Sequence, residues 1–260
     1  VIKFANAFLN QSKLDNLGLR TLLLSTFKNH NDIYITKDYK LIDALPNTGW
    51  TILRPTQDWE LIFKCGEGCP KHLPAHVHSD LLSFDIFYKG KPIIAEAGTS
   101  TYGINENRLY ERSGAAHNSF QISKCDFNSS QNPKKWIEPI EIWSNFRAGR
   151  KAKILERNYG INKHEFLFAC GSHDGFIKSG VYHKREIAIK NELDGRIKII
   201  LEDYVKSTKV INWRQWWHLS PDISNYTYNE IINQINLENL HNIKIINTFF
   251  SNGFGKRKKR

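Results

Sequence analysis

Three short stretches carry the residues that could do chemistry. The first is Ala75-His76-Val77-His78-Ser79-Asp80, the second is Glu96 at the end of an apolar run, and the third is the pair His117-Asn118. They concentrate an HxHxD signature, a carboxylate and an HN pair in a chain with only 10 histidines. His76 and His78 are two apart, so on an extended backbone both imidazoles leave the same side. That suits a metal site or an acid/base pair. Asp80 continues the register and is placed to orient a ligating ring from behind. Glu96 follows Ile93-Ile94-Ala95 and is at risk of burial, where a carboxylate needs a partner or a metal. His117 follows the small residues Gly114-Ala115-Ala116, which let backbone and ligand approach closely. His78, Glu96 and His117 together would leave one open position on a tetrahedral metal, with zinc favoured over calcium. Histidine has many structural uses, so the bland alternative for any one ring is a satisfied loop histidine.

The elements that must position these groups read as mostly β. From Pro46-Asn47-Thr48-Gly49 to about residue 220, short apolar runs are broken by Gly, Asn, Asp and Pro. The expected strands are Trp50–Arg54, Leu61–Lys64, Leu81–Tyr88, Pro92–Glu96, Ser119–Ile122, Ile140–Phe146, Lys151–Glu156, Glu165–Cys170, Glu186–Lys190, Arg196–Tyr204, Val210–Leu219 and Ile243–Phe250. The expected fold is all-β, a large antiparallel β-sandwich of stacked sheets with a short helical N-terminal segment. The chain divides into that segment at 1–45, the sandwich at 46–255 and a basic tail at 256–260. Apolar spacing in Phe4–Leu9 and Leu19–Phe27 fits helices. Hairpin counting about Gly90 puts Glu96 opposite Phe84, so a bend or bulge is needed to bring Glu96 to His78.

Composition narrows the partners. The 260 residues carry a formal net charge of +11, which attracts polyanions. Five of the positive charges sit in the tail Lys256–Arg260. No zinc-finger spacing, phosphate loop or RNP-type motif is present, which argues against nucleic acid. No run of eighteen apolar residues exists, so no membrane span is expected. The chain starts at Val1 and has no Met, and reads as a processed product or fragment. Of the four cysteines, Cys65-Gly-Glu-Gly-Cys69 fits a small disulfide loop, half a metal site or two free thiols. Trp213, Trp216 and Trp217 offer rings for stacking on sugar, although their spacing puts Trp216 on the opposite face of a strand from the other two.

The order and spacing of His76 to Phe84, Gly90 to Thr99, Tyr102, Arg108, Tyr110 and Ala116-His117-Asn118 resemble the C-terminal β-sandwich of the heparinase II/III-like family. Ser144-Asn145-Phe146-Arg147 and His183-Lys184-Arg185 look similar to later strands. The resemblance implies a polysaccharide lyase of the bacterial periplasm or cell envelope, acting on an acidic polysaccharide that contains uronic acid. It also implies a toroidal N-terminal domain as partner, and that toroid holds a tyrosine of the active site. By position, His76 matches the catalytic histidine, and His78 and His117 match ligands to a divalent metal. Glu96 stands where Asp is usual. β-Elimination needs the uronate carboxylate neutralised while C5 loses its proton. Arg108, Arg112, Arg147 and Arg185 are candidates to grip it, and Asn118 and Tyr102 are candidates to bind substrate. A non-catalytic carbohydrate-binding sandwich and a basic nucleic-acid-binding protein are the alternatives.

Overall fold

In the computed structural model the described residues are 39–69, 76–124, 135–144, 146–221, 249–251 and 258–259. The N-terminal helices expected at Phe4–Leu9 and Leu19–Phe27 lie outside them, as does most of the strand expected at Ile243–Phe250. The chain divides into two compact units, Val1–Lys40 and Leu41–Arg260. The second unit is the one described here.

Five strands come first: β1 (Ile42–Leu45), β2 (Trp50–Thr56), β3 (Trp59–Lys64), β4 (Phe84–Tyr88) and β5 (Lys91–Ile94). They pair antiparallel in sequence order into one sheet. Helix α1 (Glu106–Arg112) and strand β6 (Phe120–Lys124) follow. A small ribbon of β7 (Ile140–Ile142) and β8 (Ala148–Lys151) leads to β9 (Ile154–Ile161), β10 (Leu167–His173), β11 (Val181–Asn191) and β12 (Ile197–Ser207). The last four make the second sheet, in the order β12-β11-β10-β9. β13 (Ile211–Gln215) pairs with β6, and β14 (Phe249–Phe250) with β15 (Lys258–Lys259).

The two large sheets stack on one core. Leu53, Leu61, Phe63, Phe84, Ile86 and Ile94 from the first pack with Leu167, Ala169, Ile187 and Ile189 from the second. This is the expected all-β sandwich. The boundary at residue 45 is corrected: Ile42–Leu45 is a strand, paired residue for residue with Trp50–Leu53, not the end of a helical segment. The short apolar run Ile42-Asp43-Ala44-Leu45 gains its hydrogen bonds only from β2, a partner that helical periodicity does not reveal.

Strand β11 shows why a sandwich core here is partly polar. Its inward residues are Val181, His183, Arg185, Ile187 and Ile189, and all are buried. The outward ones are Tyr182, Lys184, Glu186, Ala188 and Lys190, as period-2 alternation requires. The sequence expectation began this strand only at Glu186, because the half carrying His183 and Arg185 reads as polar. Tertiary partners satisfy that half. Arg185 donates Nε to Asp203 Oδ1 at 2.8 Å and Nη2 to Asp203 Oδ2 at 2.7 Å, a bidentate pair. Its Nη1 donates to the carbonyls of Leu82 at 2.9 Å and Asn118 at 2.8 Å. Arg185 is 0% exposed, so its assignment as a substrate ligand is corrected: the guanidinium is consumed inside the protein.

A histidine chain leads to the same carboxylate. The Gly175 amide donates to His173 Nδ1 at 3.1 Å. His173 Nε2 lies 3.4 Å from His183 Nδ1, and His183 Nε2 lies 2.7 Å from Asp203 Oδ1. One set of neutral tautomers satisfies every contact: each Nε2 carries the proton and each Nδ1 accepts. Burial pushes both imidazoles down, His173 well below its usual value, while Arg185 and then His183 hold Asp203 in its charged form against burial.

Two predictions follow from this network. Arg185→Ala leaves Asp203 buried and uncompensated, so chemical denaturation should show a loss of ~3–5 kcal/mol. His173 and His183 take up protons in the unfolded chain, near pH 6.5, but not in the fold. Their contribution to stability therefore falls as pH drops through 6.5. His117, raised in the fold, has the opposite sign. Melting curves from about pH 7.5 to about pH 5 should accordingly slope less steeply in His173→Gln than in the parent. An equal slope would count against the neutral-histidine assignment.

Candidate active site

The HxHxD segment is not a strand. Residues 76–83 are irregular, and β4 begins only at Phe84. His76 and Leu82 have left-handed backbones, with φ of 63° and 58°. Such conformations are strained outside glycine and persist where surroundings fix them. At Leu82 the amide donates to Lys64 O at 2.9 Å and the carbonyl accepts from Arg185. This irregular path divides the two histidines between two layers of the site.

The outer layer holds His76, which is exposed. Its ring centroid is 4.7 Å from that of Phe146 and 5.4 Å from that of Tyr102. Arg108 lies over the same two rings, its guanidinium carbon 5.0 Å from the Tyr102 centroid and 5.8 Å from that of Phe146. Arg108 Nη1 is 3.4 Å from His78 Nε2, and Arg108 Nε is buried without a hydrogen-bond partner among the described residues. Helix α1 sets this arginine. Asn105 caps it by accepting from the Arg108 amide at 3.0 Å, and Arg108, Glu111 and Arg112 form its buried face. The helix was not expected from sequence, although Asn105 as cap, Glu106 in the first turn and Arg112 in the last are the usual signals.

The other arginines sort by burial. Arg112, 0% exposed, donates to the carbonyls of Val77 at 2.9 Å, Trp143 at 3.0 Å and Arg147 at 3.0 Å. It clamps the His76 loop to the 143–147 turn, so its assignment to substrate is corrected, as for Arg185. Arg147 is exposed and donates to Ser144 Oγ at 3.1 Å. Asn118 is also structural: it is buried, donates to Phe84 O at 2.7 Å and accepts the His218 amide at 2.6 Å. Of the substrate candidates, Arg108, Arg147 and Tyr102 remain at the outer layer.

The inner layer is charged and buried. Lys64 at the end of β3 pairs with Asp80 Oδ2. Glu96 Oε2 is 3.2 Å from His117 Nδ1, and Ser83 Oγ donates to Glu96 Oε1 at 3.2 Å. The Glu96 amide donates to Asp85 Oδ1 at 3.0 Å. Ile86 pairs with Ile94, a bulge interrupts the register between Ile86 and Phe87, and β5 ends before Glu96. The HxHxD loop itself supplies the bend that brings Asp80 to Glu96. Burial opposes charge on Glu96, but His117 and then Lys64 outweigh it and hold the carboxyl at about 2. His117 is pushed up in turn: Glu96 outweighs its burial. Burial, helped by His117 and Arg108, pushes His78 down to about 3. Burial and then Glu96 push Asp85 up to about 7.

A metal fits part of this layer. Asp80, Glu96 and His117 each bring a ligand atom within 4.8 Å of the others. Asp80 Oδ1 and His117 Nε2 are buried with no hydrogen-bond partner among the described residues, the mark of groups aimed at something else, while His117 Nδ1 faces Glu96. An imidazole and two carboxylates suit a divalent cation. The expected ligand set is thereby altered: Asp80, expected behind the ligands, joins Glu96 and His117. His78 stands aside with its ring centroid 5.2 Å from that of His117 and its Nε2 facing Arg108. Cys65 and Cys69 are free thiols, which resolves the alternatives left open by their spacing. Burial pushes the Cys65 thiol up to about 12, so it is inert.

Comparison with known proteins bears on the fold. Heparan sulfate lyase HepC from Pedobacter heparinus, in a mutant form, superposes with a TM-score of 0.61 at 16% identity, covering 100% of this chain and 37% of that one. Heparinase III superposes with a TM-score of 0.54 at 12% identity, covering 86% and 32%. The chain thus spans about a third of the length of these lyases, and the likeness shows the fold. A search of curated proteins found no match. Residues 39–253 match the family described as Heparinase II/III-like, C-terminal, and the chain belongs to that family of polysaccharide lyases.

Proposed function

We propose that this chain supplies the β-sandwich side of a lyase active site that cleaves an acidic, uronate-containing glycan by β-elimination. The observation that carries the reading is the outer layer, where an exposed histidine and a buried arginine with its Nε unpaired share the Tyr102 and Phe146 rings. Elimination takes the proton from C5 of the uronate and expels the substituent at C4. Arg108 would neutralise the carboxylate as charge develops at C5, with Arg147 at the rim. His76 would pass a proton at the reacting carbon or the leaving oxygen, and Tyr102 would lie against the sugar. The second proton-transfer group would come from the toroid domain that the family resemblance implies. By the same reading the protein works in the periplasm or envelope of a bacterium, which cell fractionation would test. No helix among the described residues is long and apolar enough to cross a membrane.

Asp80, Glu96 and His117 would hold a divalent metal, zinc before calcium. Bound there, it would neutralise the paired carboxylates and brace the loop that presents His76. The Lys64 ammonium competes for Asp80, so the site should bind metal more tightly in Lys64→Gln.

In the protein with its toroid, His76→Ala should lower formation of unsaturated uronate by roughly 10²–10⁴-fold while melting temperature and glycan binding hold. Undiminished turnover would refute the role of His76. Elemental analysis of the purified chain should find bound metal that His117→Ala and Glu96→Gln lose and His78→Ala keeps, with chelator lowering the melting temperature of the parent and of His78→Ala but not of the two variants that lose the metal. Loss in His78→Ala would restore His78 as a ligand in place of Asp80.

A further inference from the structure

A second arginine stands apart from the pair at His76. Arg214 on β13 is held between two indoles, its guanidinium carbon 3.9 Å from the ring centroid of Trp136 and 4.7 Å from that of Trp216. Its Nε donates to Gln121 Oε1 at 2.7 Å, and Trp216 Nε1 donates to the same oxygen at 2.7 Å. Gln121 is fixed from its other end by donating to Glu138. The guanidinium therefore lies against two indoles and is bonded along one edge. Nη1 and Nη2 have no hydrogen-bond partner among the described residues, although Arg214 is half-buried.

Half-burying a charge without pairing it is costly, and burial lowers this guanidinium to about 10, with Glu138 offsetting it only in part. A fold that needed only a packed strand end has cheaper residues for the position. Two indoles and an amide hold a rigid fork ready for a planar oxyanion, and little ordering entropy remains to be lost on binding. Trp213 and Trp217 do not share this face. Trp213 stacks on Phe120 and Trp217 meets Phe84 edge-on, so the three-tryptophan platform is not formed. The arginine cradle uses Trp136, a residue the sequence did not single out. It connects to the active site through His218, which stacks on Trp216 and reaches Ala115 O at 3.0 Å, in the turn before His117.

We propose that Arg214, clamped by Trp136 and Trp216, is an acidic-sugar subsite that grips a carboxylate or sulfate of the glycan outside the reacting residue. The identity of the polymer rests on the lyase reading; the oxyanion chemistry rests on the cradle. The test is calorimetric titration of the chain with an alginate hexamer, a heparin-derived hexasaccharide and neutral xylohexaose. The parent is compared with Arg214→Gln, Arg214→Lys and Arg108→Gln, each checked by its melting curve. Arg214→Gln should weaken binding of at least one acidic oligomer by about tenfold or more. The alginate and heparin arms tell carboxylate from sulfate, and the neutral sugar should be indifferent. Arg214→Lys, which keeps the charge and fills the cradle, should also bind more weakly because it lacks the stacked fork; it carries the test if Arg214→Gln does not fold. Parent-like binding in the folded Arg214 variants would overturn the subsite. If Arg108→Gln alone weakens binding, the active-site reading stands and the subsite falls. If the parent binds no acidic oligomer, both fall.

Discussion

A carboxylate buried from water must be answered by its neighbours, and Asp203 is answered by Arg185, His183 and Gln215. The remaining donors of Arg185 reach the carbonyls of Leu82 and Asn118. One guanidinium thus joins the second sheet to the end of the HxHxD loop and to the residue after His117. The left-handed backbone of Leu82 and the placement of His117 both depend on it. A buried ion pair contributes little net stability when compared with an apolar core. Its value here is geometric: it fixes the loops that carry the site to the most rigid strands of the fold.

Arg112 does for the other side what Arg185 does for this one. It gathers three carbonyls, from Val77, Trp143 and Arg147, and so sets the outer wall of the site. Both arginines bind backbone that no strand partner serves, which is how a long irregular loop meets the requirement that buried carbonyls be paired. Arg108 is different. It is buried as deeply but ends at aromatic faces and at His78, with one nitrogen unpaired. A buried guanidinium with a nitrogen left unpaired is poised for a ligand; one consumed by carbonyls holds the scaffold.

The inner layer applies the same logic to anions. Asp80, Asp85 and Glu96 crowd one buried space with Lys64 and His117 as the nearby cations. The proximity of Asp85 to Glu96 divides their behaviour: one carboxyl is raised toward neutrality and the other is held charged. Orphaned atoms on Asp80 and His117 mark the direction in which the arrangement is incomplete. A cation there would relieve repulsion between the carboxylates and stiffen the base of the loop that presents His76.

The sandwich is legible in the sequence alone, through its short alternating runs and punctuating turns. The concentration of His76, His78, Glu96 and His117 singles them out in the sequence, and the fold brings Glu96 and His78 to His117. The roles within that group came only with tertiary structure. Four arginines look alike in a sequence, and which are scaffold depends on whether distant carbonyls and carboxylates reach them. His76 and His78 share a face on an extended strand, but the left-handed backbone of His76 breaks that register and sends them to different layers. Apolar patterning starts β11 only at Glu186, and its polar half is held by Asp203, 18 residues beyond Arg185. Local pattern reports which backbone can form; pairing of buried charge is decided by long-range contacts that local pattern does not encode.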